Sequence, residues 1–237
     1  MPHRIWRITP PNKDTSENTV FYSKCRWLNW LWSMESSNYT YGFSFTAASM
    51  KFHDFVRLAR FAEAENGETD LDPDVVMRRS NTRTNQREFR ELLKRFQLLT
   101  PAQRALLTQV DPAGQKQLAL LGICKAYAFI RDFIIEVVRE KYLALDYLLT
   151  DADWQSFFNR KLDLHPELED FSLSTIKKAR QVSWKILEQA GLMESTQQRR
   201  ILHQFVAAPI IRVVGEDQPD LLKIFLLPEQ EINAWVA

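Results

Sequence analysis

The most hydrophobic helical stretch of the chain, Leu118 to Leu149, is interrupted by Lys125, Arg131, Asp132, Glu136, Arg139, Glu140 and Lys141. That is too many charges for a bilayer span, because each charge at membrane depth is expensive and has to be paired or led to the interface. A buried central helix, or two in series, is therefore expected, with the other elements packed around it and no membrane span. Only six glycines in 237 residues, with Leu, Gln, Arg and Glu concentrated in long periodic runs, predict a mainly helical protein whose strand-like composition is confined to the end. A hydrophobic content of 45% suffices for a real core in one large domain or two small ones.

Cys25 and Cys124 are far apart, with no Cys-x-x-Cys or Cys/His cluster around either, and read as reduced thiols, Cys124 in the core. Met1 to Ile8 lacks a continuous apolar segment, and no small-residue cleavage site follows, so a cytoplasmic location is expected.

Local signals divide the chain into four regions. Residues 1–38 read as a Trp-rich N-terminal arm: a polar, turn-rich connector from Pro10 to Thr19, yet with four of the seven tryptophans, which argues for partial order because exposed indoles are costly. Trp27, Trp30 and Trp32, beside Lys24 and Arg26, suit docking on the protein body or a partner better than an interfacial membrane contact. Residues 39–110 read as a helix-turn-helix-like region. Its first helix carries Met50, Phe52, Phe55, Val56, Leu58, Ala59 and Ala62 and stops near Asn66-Gly67; a short second starts at Asp72-Pro73, and a third near Thr82. Thr100-Pro101-Ala102-Gln103 then signals a helix start by N-cap Thr, early Pro and Gln at the third position.

Residues 111–150 hold the central buried helices, begun by Asp111-Pro112. Residues 151–237 read as a winged-helix-like C-terminal region. Thr150-Asp151-Ala152-Asp153 caps a helix carrying Trp154, Phe157, Phe158 and Leu162 before the turn at His165-Pro166. A second amphipathic helix from Ser174 to Ala190 ends at Gly191, and Leu192 to Val206 reads as a short hairpin. The fold class expected is thus all-α with a short β-hairpin, in helix-turn-helix and winged-helix-like modules around a central helical bundle.

Two basic surfaces stand out. Arg83, Arg87, Arg90 and Lys94 recur at steps of four, three and four, which at about 3.6 residues per turn sets them in one stripe. Phe89, Leu92, Leu93 and Phe96 fall opposite, while Glu88 and Glu91 project to the flank. Such a helix sits on a core and offers positive charge to something anionic. Arg78 and Arg79 extend this patch. The second surface comprises Lys177, Lys178, Arg180 and Lys185 on the later helix and Arg199 and Arg200 near the hairpin turn. Both occupy the place where a helix-turn-helix or winged helix meets nucleic acid. The formal net charge is only +1, so affinity for a polyanion must come from the distribution of charge.

No catalytic signature emerges. His3, His53, His165 and His203 are scattered without metal-ligand spacing, and the glycines are isolated, with no phosphate loop among them. Asp151 with Asp153, and Glu167 with Glu169 and Asp170, lie at helix starts and are better explained as caps than as Mg²⁺ ligands. A non-enzymatic protein without cofactor or metal is expected.

Several segments together are similar to a known family: Ala128-Phe129-Ile130-Arg131-Asp132-Phe133, Arg139-Glu140-Lys141-Tyr142-Leu143, Leu149-Thr150 and Phe157-Phe158-Asn159-Arg160-Lys161. They continue with His165-Pro166-Glu167-Leu168-Glu169, Ser174-Thr175-Ile176-Lys177-Lys178-Ala179-Arg180-Gln181 and Leu187-Glu188-Gln189-Ala190-Gly191-Leu192. The series resembles the BrxA family, a small component of the BREX bacteriophage-exclusion systems, over roughly Tyr41 to Phe225. The resemblance implies a helical protein, likened to NusB-type folds, that binds DNA without known enzymatic activity beside a methyltransferase and other BREX proteins. The Trp-rich arm departs from that pattern. The expected partner is double-stranded DNA, held mainly by its phosphates, with other BREX proteins as a further class. Alternatives are an adaptor that docks BREX components and a NusB-like RNA-binding protein.

Overall fold

Nearly every helix-start signal in the sequence sits at a helix start in space. The computed structural model describes residues 40–64, 71–77 and 82–236. A 3-10 turn, Ser44–Ala47, precedes α1 (Phe52–Ala64), α2 (Pro73–Met77), α3 (Thr82–Gln97), α4 (Pro101–Gln109) and α5 (Pro112–Ala126). Next, α6 (Ala128–Phe133) runs through a π-helical turn, Ile134–Arg139, into α7 (Glu140–Leu143). Then come α8 (Asp151–Leu162), α9 (Leu173–Ala190), α10 (Ala208–Gly215) and α11 (Glu229–Val236), with 3-10 turns at Pro166–Leu168 and Pro219–Phe225. The Trp-rich arm, Cys25, the Asn66-Gly67 stop, Arg78 and Arg79 lie outside the described residues.

Capping explains the boundaries. Thr100 with Gln103, and Thr150 with Asp153, form reciprocal capping boxes that satisfy donors at the starts of α4 and α8. The Asp111 carboxylate accepts from the Gly114 amide at 2.9 Å, and Gly191, at φ 77°, ends α9 in the left-handed conformation that glycine adopts most easily.

Helix α5 is the hub. It is buried along most of its length and packs against α1, α3, α4, α6, α9 and the Pro219–Phe225 turn. Tyr127, extended at φ −137° and ψ 95°, separates it from α6, so the apolar stretch is two helical rods in series. Gly122 permits the closest approach to α3: a Cβ there would meet the Arg95 carbonyl oxygen at 3.2 Å. A Gly122→Leu variant is accordingly expected to lose about 2 kcal/mol in urea unfolding, because α3 has to move off the hub. An unchanged midpoint would mean the two helices separate at no cost.

The charges that interrupt the central stretch each have partners. Lys125 donates to the Leu98 carbonyl at 3.0 Å and pairs with Asp217 at 2.6 Å. Arg131 pairs with Asp132, which also accepts the Tyr41 hydroxyl at 2.6 Å; burial, reinforced by Asp132, raises the Tyr41 pKa. Glu136, in the π turn, accepts from the buried Lys161 at 2.6 Å. Buried Arg139 donates to the Leu227 carbonyl and to Glu140, and Lys141 pairs with Asp146 and Asp153. Phe129 gathers Tyr41, Phe43, Phe45, Trp154, Phe157 and Phe158 into one aromatic cluster. Cys124 is fully buried, and burial pushes its thiol well above the ordinary range. Among the described residues no helix is long and apolar enough to cross a membrane.

The expected hairpin is reduced to isolated antiparallel bridges, Met193 with Ile201 and Leu148 with Arg200, and the described residues contain no sheet. The break falls at one residue. Arg199 lies at φ 52°, in the left-handed region, so extended backbone is broken where a second strand would begin. Three short segments are nevertheless tied together: the Glu194 amide donates to the Arg200 carbonyl, Leu149 to Arg199 and Ile201 to Tyr147.

Candidate nucleic-acid interface

The sequence of α3 sorts its residues by angle. Phe89, Leu92 and Phe96 are buried and Leu93 partly so, while Arg83, Arg87, Arg90 and Lys94 are all exposed. Among the described residues none of these four cations forms an ion pair; Arg90 donates to the Gln86 carbonyl at 3.1 Å, and the Lys94 ammonium stands 4.8 Å from the centre of the Tyr127 ring. The acids of the same helix are turned to internal use. Glu88 is buried against Lys51 at 3.0 Å, and Glu91 accepts the Tyr127 hydroxyl. Neither neutralises the stripe, so α3 presents a row of unopposed positive charge.

What holds the stripe in place is Arg95, which sequence reading missed. It is 1% exposed, and its guanidinium donates to the carbonyls of Ser49 and Ala48 and lies over the Tyr127 ring. Burial lowers its pKa, opposed by Tyr127 and Glu91. Its place three residues after Leu92 and seven after Glu88 puts it on the inner face, a spacing that distinguishes it from Lys94 and Arg90. At the C-terminal end of α3, Arg104 donates to the carbonyls of Phe96, Gln97 and Leu99, satisfying acceptors that a helix end leaves open.

The second basic set is only partly available. Lys177 and Lys178 are exposed on α9 and carry no ion pair among the described residues. Lys185 is paired with Glu188 at 2.7 Å. Asp151 draws two of the others together: its Oδ1 lies 3.0 Å from the Arg199 guanidinium and 3.8 Å from Arg180 Nε. Arg199 also covers the Trp184 ring at 4.9 Å, so much of its side chain serves packing. Arg200 is exposed and lines an open groove of about 680 Å³ with Leu145, Asp146, Tyr147, Leu148, Glu194 and Gln198. The role of Asp151 as a shared counter-ion was hidden by its position at a helix start, where capping already explained an acid.

Comparison with known proteins bears on family and fold. The family model described as BrxA matches residues 39–217. A relative named BREX protein BrxA, from Escherichia coli O9:H4 (strain HS), is 26% identical over 151 residues, 63% of this chain and 70% of that protein. Another of the same name, from Bacillus cereus (strain H3081.97), is 27% identical over 121 residues, 51% of this chain and 60% of that protein. Among solved structures, an uncharacterized protein from Magnetospirillum magneticum superposes with a TM-score of 0.67 at 14% identity, covering 79% of this chain and 98% of that one, a likeness of fold.

Proposed function

The chain belongs to the BrxA family, and from that premise we propose that it is a non-catalytic DNA-binding component of a BREX phage-defence system, gripping duplex mainly by its phosphate backbone. The observation that carries this is the α3 stripe, in which Arg83, Arg87, Arg90 and Lys94 are exposed and unpaired among the described residues while the helix's acids are engaged elsewhere. The order α1, α2, α3 supports a helix-turn-helix reading of the first region. The order α8, α9 and the bridged Met193–Ile201 segment supports a winged-helix reading of the second, with Lys177, Lys178, Arg180 and Arg200 as its contacts. Backbone contact is favoured over base reading because the stripe is purely cationic, and the Asn or Gln pairs with Arg typical of base-edge reading are lacking on these helices except at Gln86 and Gln181.

Each phosphate contact releases counterions, so four contacts predict a slope of log affinity against log salt of roughly −3 to −4 on duplex DNA. Affinity measured across a salt series tests this; a flat response, or no binding at low salt, defeats the proposal. Matched RNA in competition should bind more weakly, and preference for RNA would favour a NusB-like role instead. An adaptor role is favoured by one feature, the exposed Leu145 and Leu148 beside the groove that Arg200 lines. Under that reading, Leu145→Ser with Leu148→Ser abolishes co-purification with other BREX proteins while duplex affinity is unchanged.

A further inference from the structure

We propose that Tyr127 is a positioning residue for the α3 stripe: its hydroxyl engages the Glu91 carboxylate and so keeps that acid off the cations beside it. The need for such a device follows from helical spacing. Glu91 stands four residues after Arg87 and three before Lys94, the separations at which an acid and a base on one helix meet. Left without another partner, a partly buried glutamate at this place pairs with one of them and removes a charge from the row. Among the described residues neither pair forms, and Glu91 accepts from the Tyr127 hydroxyl instead. The consequence for affinity rests on the duplex-binding reading; the competition between Tyr127 and the cations for Glu91 does not.

Tyr127 reaches α3 because of the break between α5 and α6. Its N–H donates to the Ile123 carbonyl at 2.9 Å, and its own carbonyl accepts from the Ile130 amide at 3.1 Å, so both helices hold the residue that separates them. Phe45 packs edge-on against the ring at 5.6 Å, and the Ser44 hydroxyl bonds the same phenolic oxygen. Burial raises the Tyr127 pKa, opposed by Arg95 and reinforced by Glu91, so the hydroxyl remains a proton donor at neutral pH. The terminal nitrogens of Arg95 are committed to the Ser49 and Ala48 carbonyls. The face of the Tyr127 ring lies 4.8 Å from the Lys94 ammonium. One side chain therefore holds a stripe cation on its ring and, at its hydroxyl, the acid that would pair with that cation.

Tyr127→Phe keeps the ring and removes only the hydroxyl. Its duplex affinity at low salt is expected to fall about fivefold, with a slope of log affinity against log salt shallower by about 0.9, the loss of one phosphate contact. Adding Glu91→Gln should restore both quantities, because a neutral amide cannot neutralise Arg87 or Lys94. Equal affinity and slope in a folded Tyr127→Phe, as would follow if Glu91 turned inward to Arg95, overturns the proposal. A loss that Glu91→Gln does not restore also overturns it, since the hydroxyl would then act through packing alone. Glu91→Gln by itself should leave the wild-type slope unchanged. Steepening by about 0.9 would show that Glu91 already neutralises a cation, and this decides the matter even where Tyr127→Phe folds poorly. Without duplex, ¹⁵N spectra of the Arg87 Nε–H and Lys94 ammonium groups give an independent measure: one of the two should shift in Tyr127→Phe and return in the double variant. If the wild type binds no duplex, the function proposed above fails, while the presence or absence of that shift still decides the role of Tyr127.

Discussion

Reversal of Arg83, Arg87, Arg90 and Lys94 to glutamate together is expected to lower duplex affinity at low salt by roughly a thousandfold or more, since four charge-assisted contacts contribute at least about 1 kcal/mol each. The four stripe contacts alone should cost the wild type about a hundredfold between roughly 50 and 200 mM salt, and the variant's salt slope should be shallower by the roughly 3 to 4 that those contacts contribute. The fold should survive. All four side chains are exposed, and surface changes away from special features usually stay within about 0.5 kcal/mol. Glutamate at position 83 even suits the positive start of α3, whereas at position 94, near its end and over Tyr127, it opposes the helix dipole and removes a cation–π contact. Fluorescence anisotropy with labelled duplex reads the affinity, and circular dichroism in urea reads the fold. Unchanged affinity in a folded variant would remove α3 from the interface, and an unfolded variant would mean that the stripe faces inward.

Arg95→Ala is expected to cost about 3 to 5 kcal/mol, against about 0.5 or less for Arg90→Ala on the same helix. Removal of the buried guanidinium leaves the Ala48 and Ser49 carbonyls without their donor and opens space beside Tyr127 and the hub. Arg95→Lys should recover only part of this, because a single ammonium lacks the planar fork that reaches both carbonyls at once. Urea midpoints of the three variants provide the comparison. Equal losses at positions 90 and 95 would show that the two faces of α3 are not distinguished as described. Duplex affinity of whatever fraction of Arg95→Ala remains folded should be close to wild type, since Arg95 holds the stripe but is not part of it.

Much of this fold was legible because its helix boundaries are written locally. Thr100, Asp111 and Thr150 satisfy amides within three residues of themselves, and Gly191 supplies a left-handed angle that few other residues take, so these signals need no tertiary context. The hairpin failed for the converse reason. Nothing in the run Ile201 to Val206 gave warning that Arg199 would leave the extended region at φ 52° while its side chain meets Asp151 and Trp184. The π turn at Ile134–Arg139 was likewise invisible, since its residues have an ordinary helical pattern.

By itself, then, the amino-acid order determined where helices begin and end, which faces are apolar, and that Arg83, Arg87, Arg90 and Lys94 share one side of α3. These depend on hydrogen bonds and angles spanning a few residues. Which cations remain free was decided only in three dimensions. Arg95 meets carbonyls some 46 or more positions away, and Arg199 and Arg180 share Asp151. Charge is carried by the residue, but its availability to a partner depends on neighbours that the chain brings close by folding.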